Sequence, residues 1–384
     1  MDFNFTTEQT QLKDSVERFL SAHYQSVEDR ESARRLPGGF DPKTWQVYAE
    51  LGLLGMPFSE ADGGFGGGSV ETMIVMEAIG RRLAPEPYLA TGVLAASALR
   101  LAATPAQKQK LLPQLIEGTL RMALAQQEPQ ARYELANITT RAEKSGAGWA
   151  LTGRKDLVIN GDTASLFIVP ARTSGGQRDK TGITLFLVPA DAMGVGVTGY
   201  SAQDGGRLAD VVLHSAPGEM LGAEGDGFAL LEQIIETGIA AIAAEAVGVM
   251  DELTARTVEY LKTRKQFGLT IGSFQALQHK AVDMLIMTEQ TRSMAYYAAM
   301  MLDSSDASER SAALAAVKVQ VNRSARFVGQ TAIQLHGGIG MTNEYLAGHY
   351  FKRLTAIEAL FGGTAEHLQR VVAVDANSTT DEVA

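Results

Sequence analysis

The spacing of apolar residues changes twice along this chain, and each change limits what it can fold into. In the first 118 residues apolar side chains recur every three or four positions. Leu12, Val16, Phe19 and Leu20 form one such stripe, as in a helix that buries one face. From Thr119 the interval falls to two. Leu120, Met122 and Leu124 alternate with their neighbours, and short apolar runs follow around Trp149, Leu157, Leu166 and Leu185. Turn residues at 144–146, 174–176 and 204–206 separate them, as they separate strands. After Gly225-Asp226-Gly227 the helical period returns and holds to about Val371. The expected fold is mixed α and β. It has an N-terminal helical domain over 1–118, a middle antiparallel β domain over 119–222 and a C-terminal four-helix bundle over 223–372. The polar end, 373–384, is expected to be a disordered tail.

Local signals agree. Thr6-Thr7-Glu8-Gln9 reads as a capping start for the first helix, and further helices are expected over 41–54, 69–82, 88–101 and 105–117. The run Gly63-Gly64-Phe65-Gly66-Gly67-Gly68 precedes a helix and could cradle phosphate. No preceding strand and no Lys-Ser/Thr pair completes that motif, so a plain interhelical joint is the expected reading.

Composition removes several function classes. Lys and Arg number 34 against 44 Asp and Glu, a net charge of −10. That balance argues against nucleic acid and anionic membrane surfaces, but a nucleotide-like ligand needs only a local basic site. There is no cysteine, hence no disulfide and no thiolate metal site. The start lacks the basic and apolar stretches of a secretory signal. The apolar run 239–250 is short for a membrane span and contains Glu245. A cytoplasmic protein with no membrane span is expected. His336 and His349 have no third histidine at ligand spacing, so no metal is expected. His349, Lys352, Arg353 and Arg370 would meet a diphosphate or a partner carboxylate, or form a solvated face.

One stretch carries the clearest chemistry. Arg264-Lys265-Gln266-Phe267-Gly268 and then Ile271-Gly272-Ser273-Phe274-Gln275 lie between two long helical patterns. Ser273 is well placed to cap the second helix. A planar guanidinium at a helix junction suits bidentate phosphate binding, while a cation there also simply suits a helix C-terminus.

Arg-x-x-Phe-Gly followed by Ile-Gly-x-Phe-Gln resembles the signature of the acyl-CoA dehydrogenase family. Gln334-Leu335-His336-Gly337-Gly338 resembles that family's Gln-x-x-Gly-Gly segment. The resemblance runs over nearly the whole chain. Pro85-Glu86-Pro87-Tyr88, the stretch from Tyr260 to Phe274, and Lys352-Arg353 look most like the pimeloyl-CoA dehydrogenase small subunit type. The resemblance implies FAD as cofactor and an acyl-CoA thioester as substrate. It also implies that Arg264, Gln275 and Gln334 touch the diphosphate and adenosine half of an FAD held mostly by a neighbouring subunit. Phe267, Gly337, Gly338 and Thr364 belong to the same cofactor-binding set.

The sequence departs from that family where the flavin ring and the reacting carbons would lie. Family members carry Thr/Ser-Glu-Pro-Gly-x-Gly-Ser-Asp; here the stretch reads Gln127-Glu128-Pro129-Gln130-Ala131-Arg132-Tyr133-Glu134. Leu157 and Ile159 stand where a Trp and a Thr face the isoalloxazine. The family's catalytic carboxylate, in Tyr-Glu-Gly-Thr, is replaced in Phe361-Gly362-Gly363-Thr364 by Gly362. A second position used by some members matches Gly238, two residues after Glu236. Glu245 lies one helical face-repeat further on, amid alanines. It reads either as a displaced base or as one half of a buried ion pair. Two function classes follow. The chain is a self-sufficient homo-oligomeric dehydrogenase using Glu245 or Glu236, or a base-lacking subunit that completes the FAD site of a paralogous partner in a hetero-oligomer. A flavin-free assembly role is a third possibility.

Overall fold

In the computed structural model the described residues are 4–146 and 148–381, with side chains described as far as 372. Six helices come first: α1 (Thr7–His23), α2 (Val27–Arg35), α3 (Pro42–Glu50), α4 (Ser69–Arg82), α5 (Ala96–Ala102) and α6 (Pro105–Ile116). Thr6 and Gln9 form the expected capping box at α1. A wholly buried π-helical stretch, Leu89–Ala95, leads into α5. The glycine run ahead of α4 spends its N–H groups on its own chain. Gly64 donates to Ser59 O, Gly66 to Phe58 O and Gly67 to Met56 O.

Seven strands follow: β1 (Met122–Leu124), β2 (Arg141–Ser145), β3 (Gly148–Ile159), β4 (Leu166–Arg172), β5 (Ile183–Pro189), β6 (Val195–Ser201) and β7 (Arg207–Leu221). They form one sheet in the order β1-β4-β2-β3-β7-β5, with β6 on β7 and an added β4–β5 pairing that closes the path. Pairing is mostly antiparallel, but β1 and β2 each run parallel to β4. Parallel neighbours need a long crossover, and the chain between β1 and β4 supplies one that contains the β2–β3 hairpin. Phe167, Val169, Phe186, Val188, Val211 and Leu213 fill the interior.

Two buried cations fix the loops of this sheet. Lys155 Nζ donates to Glu128 Oε1 at 2.7 Å and to Pro170 O at 2.7 Å, with both side chains fully buried. The Arg172 guanidinium donates to five carbonyls, those of Ala136, Ile138, Gln177, Asp179 and Thr181. It thereby joins the loop before β2 to the loop before β5. The β3–β7 register shifts between Lys155 and Val158, and Leu157 takes φ 55° there. This bulge interrupts the alternation read from sequence and leaves Leu157 45% exposed.

The C-terminal part contains α7 (Gly227–Thr263), a small hairpin of β8 (Lys265–Gln266) and β9 (Leu269–Thr270), then α8 (Gln275–Met301), α9 (Ala307–His336), α10 (Leu346–Ala359) and α11 (Thr364–Asp381). Among the described residues this helical domain has three long helices and two shorter ones. α11 runs to Asp381, through most of the stretch expected to be a disordered tail. No Gly or Pro interrupts 364–381, so nothing local stops the helix from propagating. Residues 382–384 lie outside the described residues.

Contacts divide the chain into two compact units, Met1–Ser32 with Ser69–Ala84 and Ile239–Ala384, and Ala33–Gly68 with Pro85–Gly238. By length and composition α7 passes as a membrane span, although the run 239–250 alone is too short. Its residues 238–250 are all buried within the fold. In the first unit α4 and α7 touch backbone to backbone. A Cβ at Gly80 would collide with the Glu245 carbonyl, and one at Gly248 with the Glu77 carbonyl.

Candidate functional site

The end of α7 and the end of α9 are brought together by a ring cluster. Tyr260 packs tilted against His336 with centroids 4.6 Å apart, and Tyr345 lies 5.0 Å from His336 and 6.2 Å from Tyr260. His336 is buried. Its Nδ1–H donates to Ala332 O at 2.8 Å, which leaves Nε2 to accept from the Tyr345 hydroxyl at 3.3 Å. Burial, against the bond to Ala332, lowers its pKa, so the ring is neutral in this arrangement. Tyr260 is one helical turn before Arg264, whose N–H donates to Tyr260 O at 2.8 Å. His336 directly precedes the Gly337-Gly338 turn. The cluster therefore ties together the two motifs that the sequence presents 70 residues apart (334 − 264).

The Arg264 tip is a tight reversal. Phe267 at φ 53° and Gly268 at φ 78° turn the hairpin, and Ile271 N–H returns to Arg264 O at 2.9 Å. Gly272 lies against α7, where a Cβ would come within 2.8 Å of Leu261 O. Phe267 is 89% exposed, and Arg264, Gln275 and Gln334 are exposed as well. Ser273 does not cap α8. Its hydroxyl donates back to Thr270 O at 2.7 Å, and Phe274 occupies the cap position without a side-chain bond. Phe274 instead meets Phe267 edge-on, at 6.3 Å.

Beside the turn lies a groove of about 410 Å³ lined by Gln330, Ile333, Gln334, Gly337, Met341 and Phe351. Nothing stands within 4 Å of where a Cβ would project from Gly337, Gly338 or Gly268, so a ligand can approach the backbone there. Thr364 opens α11, whose first N–H groups lack intrahelical partners. A guanidinium, two carboxamides, an aromatic ring and open glycine backbone suit the diphosphate and adenosine part of a dinucleotide.

The carboxylates are arranged differently. Glu245 is 4% exposed, and both of its oxygens are taken by Arg353 of α10, at 2.6 and 2.7 Å. Glu236 is buried in α7 next to Thr237, whose hydroxyl lies 3.4 Å from that of Ser97. His349 is held between Arg30 Nη1 and Asn343 O, each at 2.9 Å. At the α10–α11 joint Phe361 has φ 58° and Gly362 φ 118°. In the β unit the Gln127–Glu134 segment is anchored by Glu128, which accepts from Lys155, Gln130, Thr139 and Thr140. Burial opposes that charge, but Lys155 and the threonine donors outweigh it and hold the carboxyl at about 2. Arg132 adopts φ 49° in this loop, one residue before Tyr133.

The comparisons with known proteins agree with this architecture. Residues 6–119, 123–214 and 225–376 match the N-terminal, middle and C-terminal domains of acyl-CoA dehydrogenase. The probable acyl-CoA dehydrogenase YngJ of Bacillus subtilis is 31% identical, over 97% of this chain and 98% of its own. Among solved structures, the Tcur3481-Tcur3483 steroid ACAD has a TM-score of 0.88 at 28% identity, covering 97% of this chain and 99% of that one. The ChsE4-ChsE5 complex from Mycobacterium tuberculosis has a TM-score of 0.86 at 26% identity, covering 98% and 99%. The chain belongs to the acyl-CoA dehydrogenase family. It is of the FAD-dependent oxidoreductase class that acts on CH–CH groups.

Sequence reasoning found the Arg264 and Gln334 motifs but missed the cluster that joins them. Tyr260 and Tyr345 carry no motif of their own. In the structure Tyr260 lies in the last turn of α7, His336 ends α9 and Tyr345 caps α10.

Proposed function

We propose that this chain is the base-lacking small-subunit type of acyl-CoA dehydrogenase, of the kind its likeness to pimeloyl-CoA dehydrogenase small subunits implies. It pairs with a paralogous chain and completes that partner's FAD site. When bound, FAD supplies the electron acceptor for α,β-dehydrogenation of the acyl-CoA. Arg264 neutralises the diphosphate, and Gln275 and Gln334 hold the adenosine end. Phe267 covers it, and the Gly337-Gly338 backbone and the Thr364 helix start border it. Neither Glu245 nor Glu236 takes a proton from substrate in this reading. Glu245 serves the α7–α10 clamp.

One observation carries the proposal. The side chains offered to the nucleotide face outward, with Phe267 89% exposed beside exposed Arg264, which supports a contact with a neighbouring subunit's cofactor. Such exposure suits a face that a second subunit covers. The structural neighbours include a two-chain assembly, the ChsE4-ChsE5 complex.

The test is to purify the chain alone and together with a paralogous family member from the same source. Flavin absorbance per chain and turnover with an electron acceptor are then recorded over a panel of acyl-CoAs. The isolated chain is expected to hold little FAD and to turn over poorly, the pair to do both well. A general base contributes ~10²–10⁴-fold, so a deficit of that order is expected. Robust turnover by the lone chain, lost in Glu236→Gln or Glu245→Gln with FAD retained, would overturn the proposal.

A further inference from the structure

The joint between α10 and α11 contains a buried polar network that the proposed function does not use. Lys318 of α9 is fully buried. It donates to Asn322 Oδ1 at 2.5 Å and to the Ile357 and Glu358 carbonyls at 2.9 and 3.3 Å. Asn322 in turn donates to Gly362 O at 3.4 Å. From α11, His367 reaches back, and its Nε2–H donates to Phe361 O at 2.9 Å. The imidazole is 1% exposed. Its other nitrogen, Nδ1, is buried and finds no hydrogen-bond partner among the described residues.

The ring's position is the informative part. A Cβ built on Gly362 would lie 2.5 Å from His367 Nε2 and 3.0 Å from Cδ2. Side-chain carbons do not approach a ring so closely, and this ring cannot swing away without giving up its bond to Phe361. Burial, with Arg370 and Lys318 adding to it against that bond, holds the His367 pKa down at about 4. The neutral ring is therefore seated by shape and by a single hydrogen bond, with one buried acceptor left unmet.

We propose that His367 closes position 362: its imidazole occupies the volume a side chain there would need, so that no change at residue 362 alone can return a carboxylate to this joint. The functional weight of this rests on the base-lacking reading above, because position 362 is where the family resemblance places the base. The steric claim stands apart from it. Gly362 and His367 form a matched pair, and the cost of a side chain at 362 has two separable parts. One is the backbone strain of φ 118°, which glycine alone tolerates well. The other is the clash with the ring.

A double-mutant cycle separates them. Gly362→Ala, His367→Ala and the combined variant are compared with the parent by thermal unfolding of the full chain. The backbone part is present in both arms and cancels. The fall in Tm caused by Gly362→Ala is expected to be at least twofold larger in the parent background than in the His367→Ala background. A Gly362→Ala chain that fails to fold while Gly362→Ala/His367→Ala remains soluble gives the same answer. Gly362→Glu and Gly362→Glu/His367→Ala repeat the comparison with the larger side chain. Equal losses in both backgrounds, or equal failure to fold, would overturn the proposal. None of these readings depends on turnover, so they stand or fall apart from the two-chain function.

Discussion

Removing Arg353 asks whether Glu245 is a clamp or a base. In Arg353→Met the Glu245 carboxylate stays buried and loses charge-assisted hydrogen bonds of 2.6 and 2.7 Å. Breaking one side of a buried pair costs about 3–5 kcal/mol, because the remaining charge is still desolvated. The reverse cut is milder. The Arg353 side chain is 19% exposed against 5% for Glu245, so in Glu245→Gln the guanidinium can turn towards water and the loss should be about 1–2 kcal/mol. Glu245→Gln/Arg353→Met buries no charge and should recover much of the single-variant deficit. Hydrogen–deuterium exchange of α10 amides reads the effect. At 1.4 kcal/mol per factor of ten, 3–5 kcal/mol predicts about 10²- to 4 × 10³-fold faster exchange in Arg353→Met. Turnover and flavin content of the same samples complete the assay. Exchange in Arg353→Met that stayed within about threefold of the parent would refute the clamp. So would a Glu245→Gln chain that lost turnover while keeping its exchange and FAD content unchanged, for then Glu245 is the base.

Three further outcomes are expected. Arg264→Ala should lower the FAD retained by the assembled protein, with little change in Tm because the side chain is exposed; unchanged FAD stoichiometry would count against the diphosphate contact. Gly248→Ala should destabilise by about 1–3 kcal/mol, the usual cost of overpacking, since its Cβ meets the Glu77 carbonyl where α4 crosses α7; an unshifted melting curve would show that the two helices part easily. Burial, partly offset by Glu358, pulls the Lys318 pKa from 10.5 to about 7. Between those values the unfolded chain holds the extra proton, so stability should rise with pH from about 7 towards 10.5. Lys318→Met should flatten that rise, and a parallel slope in parent and variant would contradict it.

The layout of the chain was legible because it rests on period. A stripe such as Leu12, Val16 and Leu20 belongs to one helix face, and Leu120, Met122 and Leu124 to a strand, whatever they pack against. What escaped was decided by partners distant in sequence. Glu245 among alanines reads equally as a base or as half of a pair until Arg353, 108 residues later, is placed beside it. Ser273 looked like a cap because serine often is one, but its hydroxyl found a nearer carbonyl at Thr270. Leu157 and Ile159 share a face in a regular strand, and the β3 bulge removed that periodicity between them. His367 carried no signal at all, because its significance depends on a missing side chain at residue 362.

Arg172 gives the loops of the β unit an uneven response to their surroundings. Its guanidinium is held by five backbone carbonyls, with no carboxylate among its hydrogen-bond acceptors in the described residues. Arginine keeps its proton at any accessible pH, and dipoles packed around a buried cation are shielded from added salt. Glu128, which ties the start of the 127–140 loop to Thr139 and Thr140, is acid-sensitive: its folded pKa of about 2 lies below the ordinary 4.5. The stability it contributes is full above pH 4.5 and drains away as the pH falls through about 2. Strong acid would therefore loosen the ties from Glu128 to Gln130, Thr139, Thr140 and Lys155 while Arg172 still gripped the Ala136 and Ile138 carbonyls, so the 127–140 loop would lose its carboxylate anchor before its guanidinium anchor.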